Sequence, residues 1–255
     1  MKKIISIITV AVVMILINIP VFSASYDFSS LDRQKRGWGQ GVHKDVHGRP
    51  VSSIEFNARY GGYNAVFINE ESDRIILTFD EGYENGYTEK ILDTLSDRGV
   101  RAVFFITHGY AKENTRLIER MISEGHILGN HSFKHKSMPT ISIEQMKSEI
   151  MLLHEYILKE YGYKMTLFRP PMGEFSEQSL AVTASLGYRS VFWSYAYYDY
   201  DVKSQPEPSS ALKKVTENAH KGAIYLLHAV SKTNAEILGD VIDTIRESGY
   251  EFGEL

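Results

Sequence analysis

From Arg74 onward the chain alternates short β-rich apolar runs with amphipathic stretches of helical period. That alternation constrains the fold more than any other feature. Strands joined through helices imply right-handed crossovers and a parallel sheet. The pattern predicts strands over 75–79, 100–106, 126–129, 166–168, 188–193 and 223–227, with a last short one over 250–252. Helices are predicted over 88–98, 115–124, 142–161, 176–186, 209–219 and 233–248. Five of these end on Gly99, Gly125, Gly162, Gly187 and Gly249. Ser142 and Gln145 stand at capping-box spacing. About six or seven such units fit an α/β barrel slightly short of eight, with a doubly wound open sheet as the alternative.

The segment 25–70 reads as an irregular N-terminal extension packed on the main domain, 71–255. Gly37, Gly39, Gly41, Gly48, Gly61 and Gly62 interrupt any period, and only a short strand near 65–68 is expected. Residues 1–24 carry Lys2 and Lys3, an apolar run to Phe22, and small residues at Ser23 and Ala24. This reads as a secretory signal or an uncleaved N-terminal membrane anchor, and hence an exported protein. The chain has no cysteine, which excludes disulfides, thiolate metal sites, a cysteine nucleophile and a lipoprotein anchor. A net charge of −4 without a basic run argues against nucleic acid as a partner.

Polar residues follow the predicted strands at equivalent places. Asp80-Glu81 follows the first, Asn130-His131-Ser132 the third and Arg169-Pro170-Pro171 the fourth. Ser194 and later Asp199 follow the fifth, and His228 the sixth. The C-terminal strand ends of a parallel barrel meet at one mouth, so residues scattered from 80 to 228 are expected to converge there.

Each group has its own chemistry. His131 and His135, four apart, would project from one face of a helical turn and could share a metal ion; two surface loop histidines are the plain alternative. His43 and His47 repeat the spacing in the glycine-rich extension, where packing or solvent is the simpler reading, and His126 and His154 are assigned to structure. Adjacent carboxylates at Asp80-Glu81 raise each other's pKa unless a cation intervenes, which a divalent metal or Arg169 would supply. Arg169 could hold a carboxylate bidentately, and Pro170-Pro171 would fix the backbone so that an N–H near Met172 faces a substrate oxygen. His228 could donate a proton if a carboxylate, for which Asp199 is the candidate, keeps its pKa near working pH. Tyr83, Tyr87, Tyr195, Tyr197, Tyr198 and Tyr200 would flank the mouth, as sugar-stacking faces or as ordinary packing.

Thr78-Phe79-Asp80, the pair His131 and His135, Arg169-Pro170-Pro171, the stretch 193–199 and Leu226-Leu227-His228 occur in an order and spacing that resembles the polysaccharide deacetylase (NodB-homology, carbohydrate esterase) family. The stretches 78–87, 169–176 and 226–231 look like its delta-lactam-biosynthetic N-acetylmuramic acid deacetylases of spore-forming bacteria. The resemblance spans roughly residues 70–253 and implies a distorted (β/α) barrel of seven to eight units.

By position, the resemblance implies Asp80 as general base and His131 and His135 as metal ligands. It also implies Arg169 orienting the base, and Asp199 tuning His228 as general acid. Glu81, where the family usually has a ligating Asp, is one methylene longer and is expected as a third metal ligand that could reach the ion or swing away, and Tyr200 stands where the family usually has Trp. The implied cofactor is a divalent metal, Zn²⁺ by type. The implied reaction is hydrolysis of the N-acetyl amide of muramic acid in peptidoglycan glycan strands. An N-acetylmuramoyl-L-alanine amidase would act first, and the freed amine would close to the muramic-δ-lactam of spore cortex. Deacetylation of N-acetylglucosamine in peptidoglycan or chitin-type oligomers, and a non-catalytic glycan-binding barrel, are the alternatives.

Overall fold

The computed structural model describes residues 27–255; the proposed signal segment lies outside the described residues. In chain order, β1 (Arg36–Gly37), α1 (Val51–Tyr60) and β2 (Ala65–Val66) precede β3 (Ile76–Glu81). Then come α2 (Thr88–Asp97), β4 (Val103–Ile106), α3 (His108–Glu113), α4 (Thr115–Ser123), β5 (Ile127–Asn130) and α5 (Ile143–Tyr161). After these follow β6 (Leu167–Phe168), β7 (Glu174–Phe175), α6 (Glu177–Ser185), β8 (Arg189–Val191) and β9 (Tyr195–Ala196). The chain closes with α7 (Pro208–Thr216), β10 (Ile224–His228) and α8 (Lys232–Glu247).

Eight strands form one sheet in the order β2-β8-β6-β5-β4-β3-β10-β9, and every pair in it is parallel. This is the expected α/β architecture, a distorted barrel rather than a closed one. No ladder among the described residues joins β9 back to β2 or β8. The chain itself crosses that seam through residues 192–194. Phe192 N donates to Val66 O at 2.8 Å on one side, and Ser194 N to Ile224 O at 2.9 Å on the other.

Strand alternation divides the core in two. Ile76, Val103, Phe105, Leu167, Val191 and Ile224 pack inside the curl. Leu77, Phe79, Phe104 and Tyr225 meet the helices outside, including Ile91, Leu95, Ile150 and Val241. Burying a side chain such as Phe79 contributes on the order of 1.5–3 kcal/mol. The expected capping box of α5 is present, with Gln145 N donating to Ser142 Oγ at 3.3 Å and Ser142 N to Gln145 Oε1 at 3.0 Å.

Four readings change. The segment expected to be irregular contains α1, whose Phe56 and Tyr60 join Trp38, Phe67, Phe175 and Phe192 in an aromatic cluster. The single strand expected over 188–193 breaks at the seam, because Phe192 turns to stack on Phe67 at a centroid distance of 4.2 Å. The last strand reduces to one bridge between Ile75 and Phe252. The helix α3, capped by Thr107 Oγ1 accepting from Tyr110 N, was not expected.

Candidate active site

The alternation that makes β3 separates its two carboxylates. Asp80 shares the inner face with Ile76 and Thr78, whereas Glu81 falls on the outer face with Leu77 and Phe79. Glu81 is fully buried, and neither of its oxygens has a hydrogen-bond partner. Burial, with Glu84 and Asp80 nearby, pushes its pKa well up. The expectation that it joins the metal ligands is therefore corrected: its carboxyl is not brought to the histidines.

Arg169 is wholly buried beneath the mouth. Its Nη1 donates to Asp80 Oδ1 at 2.8 Å and to Thr78 Oγ1 at 2.7 Å. Its Nε donates to Val191 O and its Nη2 to Phe192 O, each at 3.1 Å, and its guanidinium lies over the Phe105 ring at 4.2 Å. The pair with Asp80 thus uses one prong rather than the expected two, because the others hold the seam. Burial would raise the Asp80 pKa, but the charge of Arg169, with His131 and His228, brings it below the ordinary carboxylate value.

His131 and His135 do converge, but not on a helical turn. They sit in a loop after β5 in which Ser132 and His135 have φ of 71° and 54°. Asn130 Oδ1 accepts from Ser132 N, Ser132 Oγ from His135 N, and Glu149 Oε2 of α5 from Lys134 N, at 2.6–2.8 Å. The two Nε2 atoms come within 3.2 Å, and His131 Nε2 stands 3.5 Å from Asp80 Oδ2. His131 Nδ1 lies 2.9 Å from Arg169 O. A carbonyl only accepts, so Nδ1 carries the proton and Nε2 presents its lone pair to the mouth. Burial pushes His131 down to about 4, so it is neutral near pH 7. The two imidazole nitrogens are donors of the kind a divalent cation takes, although among the described residues no third side chain completes a ligand cluster with them.

Across the mouth, His228 ends β10 beside Asp80 in register. Asp199, fully buried, takes His228 Nδ1 at 2.7 Å and His228 N at 2.8 Å. Burial lowers the imidazole pKa, but the Asp199 charge and hydrogen bond outweigh it and hold it above the ordinary histidine value. Asn234 was missed by sequence reasoning. Its Nδ2 donates to Asp199 Oδ2 at 2.6 Å and to His228 O at 3.1 Å, and its Oδ1 accepts from Tyr197 OH. Its only sequence signal is its place three residues after the helix cap Ser231, which marks a cap partner rather than a site residue.

These groups open into a cavity of about 590 Å³. Tyr83, Met172, Trp193, Tyr197, Tyr200 and Leu226 line it beside Asp80, His131, His135 and His228. Of the other tyrosines singled out, Tyr195 is buried against Tyr225 and Tyr87 packs on the outer core. Tyr198 lies outside the lining with its ring 4.6 Å from that of Tyr200. Met172 adopts a left-handed φ of 60° in the turn after Pro170. Gly173 beside it has φ +64°, and a Cβ there would approach the Trp193 ring to 2.7 Å, so only glycine fits. His126 and His154 keep structural roles. His126 Nδ1 accepts from Ala102 N, and His154 bonds Tyr188 OH.

The polysaccharide deacetylase family profile matches residues 67–191. The peptidoglycan-N-acetylmuramic acid deacetylase PdaA of Bacillus subtilis (strain 168) is 42% identical over 208 residues, covering 81% of this chain and 79% of that protein. A solved structure of Bacillus subtilis PdaA, described as a family 4 carbohydrate esterase, matches with a TM-score of 0.82 at 40% identity. It covers 87% of this chain and 95% of that one. The peptidoglycan-N-acetylglucosamine deacetylase PgdA of Listeria monocytogenes serotype 1/2a (strain 10403S) is 32% identical over 179 residues, covering 70% of this chain and 37% of that protein.

Proposed function

The chain belongs to the polysaccharide deacetylase family, and we propose that it removes the N-acetyl group of N-acetylmuramic acid in peptidoglycan glycan strands already stripped of stem peptide. The chemistry rests on one observation: Asp80, His131, His135 and His228 line a single cavity, with Arg169 and Asp199 buried behind the first and the last. The choice of sugar rests on the similarity to Bacillus subtilis PdaA over most of both chains.

The family is generally metal-dependent. His131 and His135 would hold the ion, zinc by donor type, with Asp80 Oδ2 nearby, and when bound it would supply Lewis-acid polarisation of the acetyl carbonyl. Asp80, kept ionised by Arg169, takes a proton from the attacking water. A backbone N–H after Pro171 helps to hold the tetrahedral oxyanion. His228, kept protonated by Asp199, gives a proton to the amide nitrogen as its bond to the acetyl carbon breaks. Acetate and a free amine result. Each proton transfer contributes about 10²–10⁴-fold. In a stripped strand the amine then closes on the lactyl carboxylate, giving the muramic-δ-lactam of spore cortex. An amidase must act first, because the stem peptide occupies that carboxylate.

The enzyme therefore works outside the cytoplasm, delivered by the leader segment. Among the described residues no helix is long and apolar enough to cross a membrane. Mass spectrometry of muropeptides, from intact and amidase-treated glycan, tests the reading. Acetyl loss from muramic acid followed by loss of water, only in the treated sample, is expected. Acetyl loss from glucosamine in the intact sample would instead favour the glucosamine reading.

A further inference from the structure

The seam of the barrel is bridged by Arg169 and also by Trp38 and Gln40, which lie outside the part matched to the family profile. Between β8 and β9 the sheet has no ladder, so the carbonyls there need other donors. Arg169 serves Val191 and Phe192. Trp38 Nε1 donates to Trp193 O at 2.9 Å. Gln40 serves both sides of the gap: its Oε1 accepts from Trp193 Nε1 at 3.1 Å, and its Nε2 donates to Ala196 O at 3.0 Å.

Gln40 is itself held. Its backbone oxygen accepts from Ser52 Oγ of α1. Trp38 N donates to Gly173 O at 2.9 Å, which ties the same segment to the Pro171–Gly173 turn. Trp193, Ala196, Met172 and Gly173 all line the cavity, whereas Gln40 and Trp38 do not. A side-chain amide, with an acceptor oxygen and a donor nitrogen about 2 Å apart, can hold an indole N–H and a backbone carbonyl at once.

We propose that Gln40 is a positioning residue that fixes the Trp193–Ala196 wall of the cavity, and that the deacetylase depends on it to bind glycan rather than to cleave the amide. The proposal rests on the deacetylase reading above. The catalytic groups are held by bonds that Gln40 does not make, Asp80 through Arg169 and its bonds to Val191 O and Phe192 O, and His228 through Asp199, so losing Gln40 leaves those bonds in place. The wall brings an edge of the largely buried Trp193 side chain to the cavity, aromatic surface against which a sugar could pack. Loss of a contact made equally to substrate and transition state raises KM and leaves kcat alone.

The test uses the full chain and peptide-stripped glycan oligomers of fixed length. Gln40→Ala should raise KM about tenfold, the scale of one or two lost neutral hydrogen bonds, with kcat within about twofold of wild type. Gln40→Glu keeps the acceptor for Trp193 but not the donor to Ala196, and should give an intermediate KM. Gln40 is only half-buried, so the melting temperatures should stay near that of wild type. Trp193 is one of two tryptophans, the other being packed among aromatic rings. Its emission should therefore shift in Gln40→Ala and partly return in Gln40→Glu. An unchanged KM in Gln40→Ala, an unshifted emission, or a fall in kcat matching the fall in kcat/KM would each overturn the proposal. Absence of wild-type turnover on every glycan would remove the deacetylase reading instead, and the emission comparison would still decide whether Gln40 holds Trp193.

Discussion

Asp80 and Arg169 lie 89 residues apart in the chain, yet one Nη1–Oδ1 hydrogen bond of 2.8 Å joins them under the barrel mouth. The same guanidinium bonds the carbonyls of Val191 and Phe192. The proposed base is thus registered to the seam where the sheet fails to close. A carboxylate in so dry a place stays ionised only because a fixed cation faces it.

That relationship separates the roles of the two residues. In Asp80→Asn the amide oxygen can still accept from Arg169, so the fold should persist while deacetylation falls by about 10²–10⁴-fold. Arg169→Met leaves Asp80 buried and unpaired, and should cost about 3–5 kcal/mol in denaturant unfolding. Near wild-type turnover in Asp80→Asn would show that another group takes the proton.

The placement of Glu81 gives a prediction about metal. His131→Ala with His135→Ala should empty the folded protein of bound divalent metal, measured by atomic emission after dialysis. Glu81→Gln should keep the wild-type metal content, because its carboxyl lies on the outer face of β3. It should also melt higher near neutral pH, because burial obliges Glu81 to take up a proton on folding and the neutral amide does not. Metal loss in Glu81→Gln would sink the two-histidine site.

Much of this was legible in the sequence, and the failures have physical causes. Strands such as β3 and β10 declared themselves because both faces are buried, and their polar ends marked the mouth. The helix α1 was hidden by flanking glycines, although Phe56 and Tyr60 anchor it through aromatic contacts. The pairing of His131 with His135 was foreseen from a spacing whose helical rationale proved wrong. The real cause is a loop held by Asn130, Ser132 and Glu149, which are partners distant from any periodic pattern. Glu81 was misplaced because adjacency in sequence says nothing of the face unless strand alternation is carried to the last residue. Asn234 and Gln40 act through tertiary hydrogen bonds that leave no local trace.

As the proposed general acid, His228 should set the basic limb of the pH profile. Its pKa is raised above the ordinary value of 6.5 by Asp199. The acid is protonated below that raised value, so activity should fall as pH climbs through it. Asp199→Asn should move this basic limb to lower pH as well as reduce the rate, and Asn234→Ala should move it the same way by less. A basic limb at the same pH in wild type and Asp199→Asn would show that His228 is not the titrating acid.

A second histidine governs stability rather than turnover. Ser194 Oγ and His220 Nε2 lie 2.8 Å apart, and His220 Nδ1 is 2.8 Å from Asn218 O. The carbonyl places the proton on Nδ1, so the serine hydroxyl donates to Nε2, and Ser194 Oγ in turn accepts from Ile224 N at 3.1 Å. Both side chains are buried away from the cavity, which makes the pair a latch between β9 and β10 rather than a nucleophile and base. Burial pushes His220 down to about 4 from 6.5. Between those values the unfolded chain binds a proton that the folded chain does not, so this contribution to stability is whole above pH 6.5 and is lost as pH falls toward 4. One such group contributes a slope of about 1.4 kcal/mol per pH unit. His220→Gln should be less stable at pH 7.5 and lose stability less steeply on acidification, as read from denaturant midpoints at half-unit pH steps. His131 titrates in the same window, so part of the slope should remain. Equal slopes in the two proteins would mean that His220 is already protonated in the folded state.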